Sequence, residues 1–189
     1  MAFTISAVIL AGGQARRMGG VDKGLQLWQG KPLVEHCYQR LLPQLEQISI
    51  NINRNFTDYE KFGFPVFSDE LADFQGPLSG MLTGLKRATT DFVLFVPCDC
   101  PHLPLNLVEK LKSAVTNSGV LSAYVQDQER EHPTFCLISP QLVEKLQDYL
   151  LRGERKISHF MRENGAVSVD FSGQEADFHN MNTLDDLKE

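Results

Sequence analysis

Ile5-Ser6-Ala7-Val8-Ile9-Leu10-Ala11-Gly12-Gly13, running on through Gln14-Ala15-Arg16-Arg17-Met18-Gly19-Gly20-Val21-Asp22-Lys23, is the stretch that decides the fold. Ile5 to Leu10 is a short, β-branched apolar run, apolar on both faces, as expected of a strand covered on each side. It stops at Gly12 and Gly13. Residues without side chains let backbone N–H groups approach phosphate oxygens, and Arg16, Arg17 and Lys23 supply nearby positive charge. Neither common phosphate-loop template applies. A Walker loop needs a glycine five residues after the first, then Lys and Ser/Thr, and counting from Gly12 or Gly13 lands on Arg17 or Met18. The GxGxxG dinucleotide spacing is absent too, so an NAD(P)-dependent reductase lacks its fingerprint. The alternative for these glycines is that they only make tight turns.

Outward from this strand the periodicity alternates between helix and strand. Pro32 introduces a helix over 33–45, with Leu33, Cys37, Leu41 and Leu45 on one face and Pro43 disturbing its end. Ile48-Ser49-Ile50-Asn51-Ile52-Asn53 alternates strictly, isoleucines on one face and polar residues on the other, as in a strand. A shorter strand is expected at 66–68, a small-residue helix over 79–88, and a buried strand at 92–96. An amphipathic helix follows over 106–115, carrying Leu107, Leu111 and Val115 at helical spacing. Strands at 121–125 and 134–138 flank a polar connection that reads as a hairpin. Helices at 141–151 and 157–162 and a last strand at 166–171 complete the chain. Such alternation implies one α/β domain over 1–189, Rossmann-like, with a mostly parallel but mixed sheet and helices on both faces.

In that architecture ligands lie beyond the carboxyl ends of the strands. Gly12 and Gly13 follow the first strand, Asn51 and Asn53 end the second, Asp69 follows the third and Asp99 the fourth. A glycine loop, amides and two carboxylates thus converge on one rim. Asp99, in Val96-Pro97-Cys98-Asp99-Cys100-Pro101, is placed to hold Mg²⁺, although a lone aspartate in a loop also reads as a turn former or cap. Asn51, Asn53, Asp69, the Gly76-Pro77-Leu78-Ser79-Gly80 turn, Asn180 and Asn182 suit a base edge, ribose hydroxyls or a pterin ring. Strand alternation alone also explains how Asn51 and Asn53 face. His132-Pro133 reads equally as a turn or a site.

Bulk composition narrows the classes. A net charge of −6 over 189 residues argues against a general nucleic-acid binder. No apolar run approaches the roughly 18 residues of a membrane-spanning helix. The N-terminus lacks the basic region of a signal peptide, so no membrane association and a cytoplasmic location are expected. Cys37, Cys98, Cys100 and Cys136 lack the repeated CxxC spacing of a structural zinc site and read as reduced thiols in or near the core.

Taken in order, Leu10-Ala11-Gly12-Gly13, Arg17-Met18-Gly19-Gly20 and Asp22-Lys23-Gly24 resemble the molybdenum cofactor guanylyltransferases of the nucleotidyltransferase superfamily. The resemblance continues through Lys31-Pro32-Leu33, Asn51 to Arg54, Gly76-Pro77-Leu78 with Gly80, Pro97-Cys98-Asp99 with Pro101, His132-Pro133-Thr134 and Asn180-Met181-Asn182-Thr183. It implies a nucleotidyltransferase fold and transfer of GMP from GTP to the terminal phosphate of molybdopterin, with release of pyrophosphate. It also implies that Leu10, Ala11, Gly12 and Gly13 line the nucleotide and that Lys23 contacts phosphates. Asn51 and Asp69 would meet the guanosine part, and Gly80 would be among the substrate-binding residues. Asp99 would bind nucleotide and Mg²⁺, and Asn180 and Asn182 would lie toward the pterin. Arg17 and Lys23 would offset charge on the leaving pyrophosphate. The nucleophile is already a phosphate anion, so no general base is needed. The product would pass to cofactor-inserting chaperones or acceptor molybdoenzymes. Two alternatives stay open: a cytidylyltransferase on the same cofactor, whose loop usually opens Leu-Ala-Ala-Gly, and a non-catalytic carrier of GTP or cofactor, which would release no pyrophosphate.

Overall fold

In the computed structural model, which describes residues 3–13, 21–71, 76–182 and 185–188, the first apolar run forms strand β1 (Ile5–Leu10). Its neighbours are β4 (Ile48–Asn51) and β6 (Phe92–Pro97), both parallel to it. β5 (Val66–Phe67) extends the sheet beyond β4, again in parallel. On the other side β8 (Glu131–Ile138) runs antiparallel to β6 and to β7 (Ser122–Gln126), and β9 (Val167–Asp170) closes the edge parallel to β7. The order β5-β4-β1-β6-β8-β7-β9 is the mixed, mostly parallel sheet that the periodicity implies.

Alternation along the central strands sorts their side chains between two cores. Ala7 and Ile9 of β1, with Phe92, Leu94 and Val96 of β6, face helices α1 (Leu33–Leu41) and α4 (Leu107–Ser118). Val8, Val93 and Phe95 face α3 (Pro77–Arg87), α5 (Val143–Leu151) and α6 (Ile157–Glu163). With both faces covered, each fully buried Val, Ile, Leu or Phe contributes roughly 1.5–3 kcal/mol. Among the described residues no helix is long and apolar enough to cross a membrane.

Several boundaries differ from expectation. α1 ends at Leu41, short of Leu45: Leu42 keeps helical geometry and donates to the Tyr38 carbonyl, but Pro43 has no N–H to carry the ladder on. The alternating segment is a strand only to Asn51, although the Ile52 N–H still donates to the Phe67 carbonyl. Because Gly80 of α3 packs against its amide, Asn51 is buried and not on a solvated face. Two small elements carry little periodic signal: the hairpin of β2 (Leu27–Trp28) and β3 (Lys31–Pro32), and helix α2 (Phe56–Glu60). The hairpin turns at Gln29-Gly30, both at positive φ, which is the geometry that matches strand twist.

Candidate functional site

The chain passes from β1 to β4 and β5 on one side, then returns across β1 to β6 on the other. The winding therefore reverses between β1 and β6, and the crevice at their carboxyl ends is where open α/β sheets bind ligands. Leu10, Ala11, Gly12 and Gly13 leave β1 at this rim. Asn51 and Asn53 arrive from β4, Asp69 from β5 and Asp99 from β6, as the sequence leads one to expect. Arg17, with Arg16, Gly19 and Gly20, lies outside the described residues.

One cluster joins the β1, β4 and β5 loops. Asn51 is only 2% exposed, and its Nδ2 donates to Asp69 Oδ1 at 2.8 Å. Asn53 spans two loops: its Oδ1 accepts from the Asp69 N–H at 3.0 Å and its Nδ2 donates to the Gly12 carbonyl at 3.2 Å. Backbone crowds these amides. A Cβ on Gly12 would stand 2.6 Å from Asn53 Nδ2, and one on Gly80 would stand 2.3 Å from Asn51 Oδ1. Gly80, buried in α3, thus makes room for Asn51. Asp69 is left as a half-buried carboxylate, its backbone held by Asn53 and one of its oxygens by Asn51.

The second cluster centres on Asp99, which is 5% exposed. Lys23 Nζ lies 3.1 Å from Asp99 Oδ2 and donates to Asn182 Oδ1 at 2.8 Å. Asn180 Nδ2 donates to Asp99 Oδ1 at 3.0 Å, and the Met181 N–H donates to the Asp99 carbonyl at 2.9 Å. Asn180 and Asn182, expected toward the pterin, therefore stand directly on the carboxylate and the cation. The Lys23 side chain keeps 27% of its surface exposed and can reach an anion without leaving the cluster.

Lys23 is aimed by a turn that sequence reasoning underused. Asp22 accepts from the Gly24 N–H at 3.1 Å, from the Tyr59 hydroxyl at 2.8 Å and from Asn55 Nδ2 at 3.0 Å. Arg54 Nε lies 4.0 Å from the same carboxylate. Burial, with the neighbouring Cys98 and Asp22, holds the Tyr59 phenol well above its ordinary range, so it stays a donor. Asp22 appeared only as part of a motif, and Asn55 and Tyr59 bear no local pattern tying them to it. Their separation from Asp22 along the chain hides the contact.

All four cysteines are free and buried, as expected of core thiols. Burial pushes the Cys37 thiol up to about 12, and Cys98 and Cys100 shift the same way through burial and the charge of Asp99. None is a nucleophile at neutral pH.

Residues 7–167 match the model of the MobA-like NTP transferase domain. A "Molybdenum cofactor guanylyltransferase" of Haemophilus influenzae is 64% identical over 188 residues, covering 100% of this chain and 98% of that protein. Its counterpart in Mannheimia succiniciproducens is 66% identical over 187 residues, covering 99% and 98%. Among solved structures, molybdopterin-guanine dinucleotide biosynthesis protein A of Archaeoglobus fulgidus superposes with a TM-score of 0.78 at 22% identity, covering 97% of this chain and 95% of that one. A CMP:2-keto-3-deoxy-manno-octonic acid synthetase complexed with CTP gives 0.72 at 15% identity, covering 90% of each. These last two likenesses concern the fold. The chain belongs to the MobA-like NTP transferase family and, within it, groups with the molybdenum cofactor guanylyltransferases.

Proposed function

From that membership we propose that the chain transfers GMP from GTP to the terminal phosphate of molybdopterin, releasing pyrophosphate and forming the guanine dinucleotide of the cofactor. The observation that carries the chemistry is the Lys23–Asp99 pair, 3.1 Å apart at the point where the sheet's winding reverses. Nucleotide and acceptor are carried over from what the relatives are called.

Both reactants are anions, so the site must align them and offset charge. The Leu10 to Gly13 loop lines the nucleotide. Asp69, held by Asn51 and Asn53, meets the guanosine part. Lys23, joined by Arg17, takes the phosphates and steadies the departing pyrophosphate. Asn180 and Asn182, seated on Asp99 and Lys23, reach toward the pterin. A cofactor phosphate oxygen attacks the α-phosphorus as the bond to pyrophosphate breaks, and no side chain need remove a proton.

The donor set suits Mg²⁺. Among the described residues no group of three or more His, Cys, Asp or Glu could cage a metal. Magnesium, however, is commonly held by one or two carboxylates plus substrate phosphates and waters. Asp99 Oδ2 accepts one nitrogen donor, Lys23, and so keeps a lone pair for an ion, while Oδ1 accepts both Asn180 Nδ2 and the Cys100 thiol. When bound there, Mg²⁺ supplies electrophilic polarisation of the α-phosphate.

The test is incubation with Mg²⁺, molybdopterin and each of GTP, CTP, ATP and UTP, following pyrophosphate. Release with GTP alone is expected. Release with CTP would move the chain to the cytidylyl reading, and GTP binding without release would make it a carrier.

A further inference from the structure

The His132-Pro133-Thr134 segment plays no part in the chemistry above, yet the structure builds it into the same rim. β7 runs parallel to β6, each being antiparallel to β8, so the carboxyl end of β7 lies on the side of Asp99. His132 pairs with Val125 across from that end. The register then jumps, with Tyr124 opposite Cys136, and Pro133 sits in the extra length where no N–H is needed. Bulges of this kind re-aim side chains near active sites.

His132 is aimed inward. It is 6% exposed, and its Nε2 lies 2.5 Å from Asp127 Oδ2. Asp127 Oδ1 accepts the N–H groups of Glu129 and Arg130 at 2.8 and 2.9 Å. The imidazole stacks on Phe178, centroids 4.9 Å apart at 28°, while Phe135 and Phe171 meet Phe178 edge-on. Phe178 is fully buried in this box, and its carbonyl accepts from Cys100 Sγ beside Asp99. The next turn of chain carries Asn180, the Met181 N–H and Asn182, which hold Asp99 and Lys23.

Resting on the guanylyl reading, we infer that His132 is a positioning residue for transfer: locked by Asp127, its ring seats Phe178, and Phe178 sets the 178–182 strap on Asp99 and Lys23. His132 touches no reactant. It acts through the strap, at two removes from the phosphates.

A role through the strap predicts coupling that a merely structural role does not. His132→Gln keeps a donor for Asp127 and removes the ring. It should lower kcat about tenfold, whereas in an Asn180→Ala background the same change should cost less than about twofold, because the strap's hydrogen bond to the Asp99 carboxylate is already gone. Hydrogen exchange gives a readout free of turnover. The Met181 amide should exchange about tenfold faster in His132→Gln while the amides of Ile9 and Leu94 keep their protection. Should His132→Gln fail to fold, Phe178→Leu leaves the Asp127 pair in place and carries both expectations. Equal losses of kcat in the two backgrounds, or an unchanged Met181 amide, would overturn the inference. A wild-type chain that transfers no GMP would overturn the guanylyl reading and, with it, the catalytic half of the inference; the Met181 amide still decides whether His132 seats the strap.

Discussion

Asp99 and Asp127 make a natural pair. Each follows a strand of the same sheet on the same rim, β6 in one case and β7 in the other, and each is 5% exposed. Their partners differ in kind. Asp127 is satisfied by neighbours two, three and five residues away, and His132 is nearly as buried as the carboxylate. Asp99 takes its nitrogen donors from Lys23 and Asn180, 76 and 81 residues away, with the adjacent Cys100 thiol as a long, weak local contact, and Lys23 stays partly open to solvent. A carboxylate closed by its own turn is a fastener. One closed by distant side chains with exposed tips can exchange partners when a phosphate arrives, without unfolding the turn that presents it.

The comparison breaks first, and hardest, at Asp99. Asp99→Ala should reduce GMP transfer by at least about a hundredfold, the ~3 kcal/mol of a lost charge-stabilising group, with a melting temperature close to wild type. Initial rates beside a thermal melt check this, and full activity would remove Asp99 from the chemistry. Asp127→Ala should do the reverse in emphasis. It leaves the buried His132 imidazole without its carboxylate and two amides of an exposed turn without their acceptor, so urea unfolding should show a loss of about 1–3 kcal/mol, with a smaller fall in rate than at Asp99. Unaltered stability would make the Asp127 turn incidental.

The smallest effect sharpens the distinction through pH. Burial alone would raise the Asp127 carboxyl, but hydrogen bonds from His132 and from the Arg130 and Glu129 amides outweigh it and hold it below its ordinary range. A group depressed in the folded chain adds stability that is complete above its unfolded value and is lost as the pH falls through the folded one. The stability gap between wild type and Asp127→Asn, measured by urea unfolding, should therefore hold steady near pH 5 and narrow below about pH 4. A gap that widened on acidification would contradict the assignment.

The strand-and-helix order, the covered sheet and the glycine loop were legible in residues because each is written in local periodicity. So was the gathering of Gly12, Asn51, Asp69 and Asp99 on one rim, since every one of them ends a strand of the parallel set. The short hairpin at 27–32 and α2 escaped because neither is long enough to show a period. Asp22 is an instructive middle case. Its place before Lys23 was plain, but Tyr59 and Asn55, which aim the turn, come from beyond the second long strand.

By itself, then, the sequence determined which residues stand at the ends of strands and that two carboxylates and a lysine would be available to an anionic ligand. Only the tertiary structure decided that Asn180 and Asn182 meet Asp99 and Lys23, that Gly80 is small for the sake of Asn51, and that His132 points inward at Asp127 and Phe178. The reason is physical. Backbone periodicity is set by neighbours a few residues apart, whereas contacts between residues 80 or more apart depend on the order in which strands pair and on which helix faces cover them, and no local window of sequence contains that order.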